Sequence, residues 1–225
     1  MEQIDFKHRF ISPPLKQHIA TNSDQEQRIK DSKSESLTLL LLHGTGGDED
    51  DLIPVGQMLS PSASLLSPRG KVLENGMPRF FRRLAEGVFD VEDLKFRTRE
   101  LAGFVRGASN VYSFDLDKTI AVGFSNGANI SASLLLSYPE TIKGAILFRA
   151  MVPFIPDSPP DLSGKKVLLC AGMFDPIVTK SQTEDLLKML QKSGANVTLK
   201  WQKSGHNLTE ADIMHSKEWL SENFQ

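Results

Sequence analysis

Cysteine is almost missing from this chain: one residue, Cys170, in 225 excludes an internal disulfide and permits a reducing compartment. Long hydrophobic runs are missing as well. Leu39 to Leu42 and Val167 to Ala171 are typical apolar stretches, far below the roughly 18 residues that cross a bilayer, so no membrane span is expected. The first twenty residues hold Asp5, Lys7, His8, Arg9, Pro13 and Pro14 without an apolar core, so no secretory signal is expected and the expected location is cytoplasmic. Charge of one sign is also lacking. With 26 Lys and Arg against 28 Asp and Glu the net charge is −2, which gives no electrostatic reason to bind nucleic acid; the expected partner is a small molecule. What remains, 40% hydrophobic and 24% charged residues without repeats, is ordinary globular composition at a length that suits one domain over residues 1–225.

Within that domain, residues 1–36 divide into an edge strand, Ile4 to Ile11, and a polar stretch, Thr21 to Ser36, expected to be an exposed loop. From Leu37 onward, strand-like runs alternate with helix-like segments. The strands are Thr38 to His43, Ser64 to Leu66, Thr119 to Phe124, Ile142 to Phe148, Val167 to Ala171 and Val197 to Trp201. The helices are Asp51 to Leu59, Val91 to Val105, Asn126 to Tyr138, Ser181 to Lys192 and Thr209 to Asn223. This alternation predicts an α/β fold, a mostly parallel sheet with helices on both faces. Ser181-x-x-Glu184 and Thr209-x-x-Asp212 read as capping boxes, and Gly194 as a C-terminal cap. Val152 to Lys166 carries four prolines and cannot hold a regular helix, so no large lid is expected.

The most informative motif is Gly123-Phe124-Ser125-Asn126-Gly127, placed between a strand run and a helix run. A strand that turns sharply into a helix crowds backbone against backbone, which requires flanking glycines and pushes the serine hydroxyl outward. A hydroxyl is a weak nucleophile at neutral pH, so such a serine needs a base, and the base needs an orienting carboxylate. The expected chain order is Ser, then Asp or Glu, then His. Asp175, after the strand Val167 to Ala171, and His206, after Val197 to Trp201, fit that order; Asp157 and Asp161 are the alternative carboxylates. Of five histidines, His8, His18 and His43 precede the serine and His215 lies inside the last helix. His43-Gly44-Thr45-Gly46-Gly47 follows the first core strand, where a loop that binds an oxyanion belongs, with the backbone N–H groups of Thr45 and Asn126 as donors. His43 is expected to hold this loop by hydrogen bonding.

Asp48-Glu49-Asp50-Asp51 reads as a cluster that satisfies the N–H groups of the following helix, since no second cluster completes a metal shell. No metal is therefore expected, and Gly44-x-Gly46 lacks the third glycine of a dinucleotide fingerprint, so no cofactor is either.

Together, Ser125, Asp175, His206 and the 43–47 loop resemble the phospholipase/carboxylesterase family of α/β hydrolases, which includes acyl-protein thioesterases. Leu42 to Glu49, Ser67-Pro68-Arg69-Gly70, Glu74 to Arg83 and Gly123 to Asn129 resemble more specifically a bacterial subgroup of small carboxylesterases, some linked to hydroquinone stress. The resemblance implies an α/β-hydrolase fold without a large lid, esterase activity on short acyl or aryl esters, a metal-free cytoplasmic enzyme, and a possible homodimer. Two alternatives stand beside it: a thioesterase or lysophospholipase, and a hydrolase fold kept only to bind a small ligand. The Glu74 to Asp90 segment carries aromatics and arginines that either line the pocket or pack a loop onto the core. Met77, Phe81, Phe89, Met151 and Phe174 are the candidate substrate-binding residues. Cys170, in a strand, reads as a buried apolar residue.

Overall fold

A computed structural model describes residues 5–13 and 36–224. The chain runs β1 (His8–Ile11), β2 (Thr38–Leu42), α1 (Ile53–Leu59), β3 (Ser64–Pro68), then four short strands, β4 (Val72–Glu74), β5 (Met77–Arg79), β6 (Arg83–Ala85) and β7 (Val88–Phe89). It continues through α2 (Val91–Tyr112), β8 (Thr119–Phe124), α3 (Asn126–Ser137), β9 (Gly144–Phe148), β10 (Lys166–Gly172), α4 (Lys180–Lys192), β11 (Asn196–Gln202) and α5 (Glu210–Phe224). The expected exposed loop over 21–36 lies, apart from Ser36, outside the described residues, as does the start of the expected edge strand.

Seven strands form one sheet in the order β1-β3-β2-β8-β9-β10-β11, parallel throughout except where β1 pairs antiparallel with β3, Phe10 opposite Leu66. Strand side chains alternate between faces, and here both faces are covered, which explains the unbroken apolar runs. Leu40 and Leu42 face a core built with α2, α3 and α4, around Leu101, Leu134 and Leu186. Leu39 and Leu41 face the other core, closed by Leu59 of α1 and Trp219 and Leu220 of α5. Residues 149–165, the proline-rich stretch, hold no helix or strand.

Four local expectations are corrected. Helix α2 runs seven residues past Val105 because Gly107 and Ala108 are buried in the interface and Tyr112 stacks on Phe10, ring centroids 4.1 Å apart. Helix α4 starts two residues earlier than the Ser181 box implies. Thr179, in extended conformation, is its cap: Gln182 N–H donates to the Thr179 hydroxyl, and Thr179 N–H donates to the Gln182 side chain. The second box is as read, Asp212 N–H donating to the Thr209 hydroxyl and Thr209 N–H to the Asp212 carboxylate. The Asp48–Asp51 cluster does not cap α1, whose N-cap is Leu52 without a side-chain bond. Its carboxylates pair instead with cations brought from far along the chain: Asp48 and Glu49 with Arg69, Glu49 with Lys7, and Asp50 with Arg9. Last, the Glu74 to Asp90 segment is no simple loop but two hairpins, β4–β5 and β6–β7.

Candidate active site

Ser125 occupies the single residue between β8 and α3, at φ 51° and ψ −112°. A non-glycine backbone in that region costs on the order of 1–3 kcal/mol and persists only where its surroundings enforce it. The flanking glycines show how it is enforced. A Cβ on Gly127 would lie 1.9 Å from the Leu42 carbonyl oxygen, and one on Gly123 would lie 2.5 Å from the Gly127 oxygen. Ser125 N–H donates to Phe148 O on the adjacent strand, 2.9 Å away. The hydroxyl is left for a partner above the sheet.

That partner is His206. Ser125 Oγ and His206 Nε2 are 2.8 Å apart, and His206 Nδ1 is 2.8 Å from Asp175 Oδ2. An ionised carboxylate only accepts, so Nδ1 carries the proton and Nε2 is free to accept from the serine. Asp175 is fixed from its other oxygen by the N–H groups of Ile177 and Val178, at 2.8 and 2.9 Å. The two loops meet because β10 and β11 are paired to their ends and then continue in contact: Met173 N–H donates to Gln202 O, and Phe174 N–H to Ser204 O. Gly172 permits this approach, since a Cβ there would lie 2.4 Å from Gly205 O. Asp161 instead caps its own turn at Ser163 N–H, and Asp157 is exposed; neither lies at the cavity around Ser125.

Across the serine, Thr45 follows β2 and Asn126 opens α3, whose first N–H groups have no intrahelical acceptor. Both are held by the strand β5 and the residue after it. Arg79 Nη1 donates to Thr45 Oγ1 at 2.7 Å, Gly46 N–H donates to Pro78 O, and Phe80 N–H donates to Asn126 Oδ1 at 2.7 Å. His43 is buried and accepts from Gly70 N–H at Nε2, so its Nδ1–H donates to Gly44 O. Burial pushes this imidazole below its ordinary value, which keeps it neutral and in the loop-holding role expected of it. Arg79 is itself buried and lowered by that burial, with Glu74 as counter-charge; Glu74 also receives Arg83, and these guanidinium bonds hold its carboxyl below the usual range.

A cavity of about 270 Å³ opens over Ser125 and His206. Of the five candidate substrate-binding side chains, Phe89 and Met151 line it and three do not. Phe81 is wholly buried, packed edge-on against Phe89 at 5.1 Å: it faces the core and supports the wall from behind. Met77 covers Gly46 from outside, and Phe174, 71% exposed, points to solvent. The sequence reading missed Ile177 and Val178, which share the Asp175 turn with the cavity wall, and Arg149. A charged residue directly after a fully buried strand was the available signal for Arg149. Cys170 is buried beside Ser216, its thiol pushed up to about 12 by burial, and plays no part at the cavity.

Comparison with known proteins gives the same architecture. Residues 24–224 match the family model for phospholipase/carboxylesterase. MhqD of Bacillus subtilis (strain 168), named as a hydrolase, is 48% identical over 196 residues, covering 87% of this chain and 98% of that one. The crystal structure of a Bacillus cereus carboxylesterase superposes with a TM-score of 0.88 at 44% identity, covering 98% of this chain and 95% of the other. YahD, solved with malic acid, superposes at 0.83 with 30% identity over 97% and 99% of the two chains. The fold, the serine elbow and these likenesses lead to one assignment: the chain is an α/β hydrolase and belongs to the phospholipase/carboxylesterase family.

Proposed function

We propose that the protein is a serine carboxylesterase acting on small carboxylic esters, with Ser125 as nucleophile, His206 as general base and acid, and Asp175 as the group that orients the imidazole. The observation that carries this reading is the unbroken chain Ser125 Oγ, His206, Asp175, with both links at 2.8 Å. As Oγ attacks the ester carbonyl carbon, its proton passes to Nε2 and the carbonyl oxygen becomes an oxyanion. The N–H groups of Thr45 and Asn126 bind that oxyanion, helped by the positive end of α3. The C–O bond then breaks and the leaving alkoxide takes the proton from Nε2. Water attacks the acyl-serine, giving one proton to His206; release of the carboxylic acid returns that proton to Ser125.

Cavity size supports small substrates. About 270 Å³ lies just below the roughly 300–1,000 Å³ of pockets that hold drug-sized ligands, which suits a short acyl or single-ring group against Phe89 and Met151. The lone buried thiol suits a cytoplasmic enzyme, where we place it. Hydrolysis of p-nitrophenyl esters from acetate to palmitate tests the reading. Short esters are expected to be the best substrates, and Ser125→Ala to lower turnover by about 10⁴–10⁶-fold with the fold intact. Preference for long chains would favour a lysophospholipase or thioesterase instead, and activity that survives Ser125→Ala would overturn the assignment.

A further inference from the structure

We infer that Arg149 is a positioning residue that tethers the His206 loop to the strand bonded to the nucleophile's backbone; this rests on the esterase reading above. Arg149 is the residue after β9, and three observations set it apart. Its side chain is completely buried, as is that of its partner Asp212, with Nη2 2.7 Å from Asp212 Oδ2. Its backbone sits at φ 59°, a left-handed conformation that an arginine holds only when its surroundings require it. Its guanidinium also reaches both sides of His206: Nε donates to Gly205 O at 3.1 Å, and Nη2 to Asn207 O at 2.6 Å and to Ser204 Oγ at 3.0 Å.

The other end of the tether is the elbow. Phe148, immediately before Arg149, accepts the hydrogen bond from Ser125 N–H, and Arg149 N–H donates to Cys170 O on the next strand. The backbone of residues 148–149 is thus fixed to the nucleophile and the guanidinium to the backbone on either side of the base, so one side chain links the two. Asp212 extends the network, because the same carboxylate caps the Thr209 end of α5 directly after the loop.

Although Arg149 borders the cavity, it has no donor to offer a substrate. A guanidinium carries five N–H groups, and here they meet six protein acceptors: Gly205 O, Cys170 O, Ser204 Oγ, Asn207 O and both Asp212 oxygens. Its effect on the reaction therefore passes through the placement of His206. Lysine cannot replace it, since three donors on one nitrogen cannot span the three sites around His206 in a plane.

The test compares kcat and KM for p-nitrophenyl acetate in wild type, Arg149→Lys, and the double variant R149M/D212N, each corrected for folded protein by thermal melting. The double change leaves no unpaired buried charge, and the asparagine oxygen still accepts from Thr209. The tether predicts that kcat falls about tenfold in R149K and about 10²-fold in the double variant, with KM within about threefold, because a misplacement near 1 Å costs about that much. A purely structural arginine would lower the melting temperature and leave kcat per folded molecule unchanged, and wild-type kcat in either folded variant overturns the proposal. If the double variant does not fold, Arg149→Lys decides alone. Failure of the esterase reading is separately visible, as wild type without activity or Ser125→Ala with it.

Discussion

The two walls of the cavity are built by different physics. On the serine side, the conformation of Ser125 follows from atoms within a few residues or one strand away: a Cβ on Gly127 would collide with Leu42 and one on Gly123 with the start of the helix. On the side of the proposed oxyanion donors, Thr45 and the 43–47 loop are held from a distance by Arg79, Pro78 and Gly70, and the residues that follow by an ion network in which Arg69 and Lys7 grip Glu49. The first wall is set by steric exclusion alone; the second adds hydrogen bonds and ion pairs to close packing, since a Cβ on Gly44 would lie 2.7 Å from the Phe124 ring. Steric walls fail abruptly when an atom is added; electrostatic walls yield gradually to charge removal and acid.

The largest effect is expected of Gly127→Ala. The new Cβ would lie 1.9 Å from Leu42 O, so either β2 or α3 must move, at a cost of about 3 kcal/mol or more, read as a lowered urea midpoint with loss of esterase activity. An unaltered midpoint would mean that the elbow tolerates side chains and is not sterically set. A smaller effect is expected on the opposite wall. Arg79→Met removes the donor to Thr45 Oγ1, and displacing one oxyanion donor should lower kcat about 10–10²-fold with KM little changed, less than the roughly 10²–10³ for deleting such a donor. Thr45→Val, which keeps the backbone N–H but not the hydroxyl, should reproduce most of that loss.

The smallest effect is one of pH. Burial acts to raise the Glu49 carboxyl, but hydrogen bonds from Lys7, its own backbone and Arg69 outweigh it and hold the group at about 2 against an ordinary 4.5. The unfolded chain therefore binds this proton more readily than the folded one. The stability Glu49 contributes is complete above pH 4.5 and is lost progressively as the pH falls toward 2. Urea midpoints measured from pH 7 to pH 3 should decline through that window, and Glu49→Gln should show a lower midpoint at pH 7 and a flatter decline. An equally steep decline in the variant would place the acid sensitivity elsewhere.

The same division explains what could be read from the chain alone. The elbow and the alternation of strands and helices are matters of local sterics and periodicity, which neighbouring residues reveal, and Asp175 and His206 could then be picked by their places after successive strands. The partners of the Asp48–Asp51 cluster were not legible, because Arg69, Arg9 and Lys7 arrive through sheet pairing between β1 and β3. Phe81 and Phe89 look alike in sequence, yet one faces the core and one the cavity, a choice made by the hairpin β6–β7. Arg149 was hidden for a similar reason: its acceptors lie more than twenty residues away, several of them at the far end of the sheet's last crossover.

In the proposed mechanism the elbow presents Ser125 as a nucleophile activated by His206. Intact-protein mass spectrometry after brief treatment with a fluorophosphonate tests it most directly. A single adduct that maps to Ser125 is expected, absent in Ser125→Ala and formed far more slowly in His206→Asn. No adduct in the folded wild-type protein, or one on another residue, would contradict it.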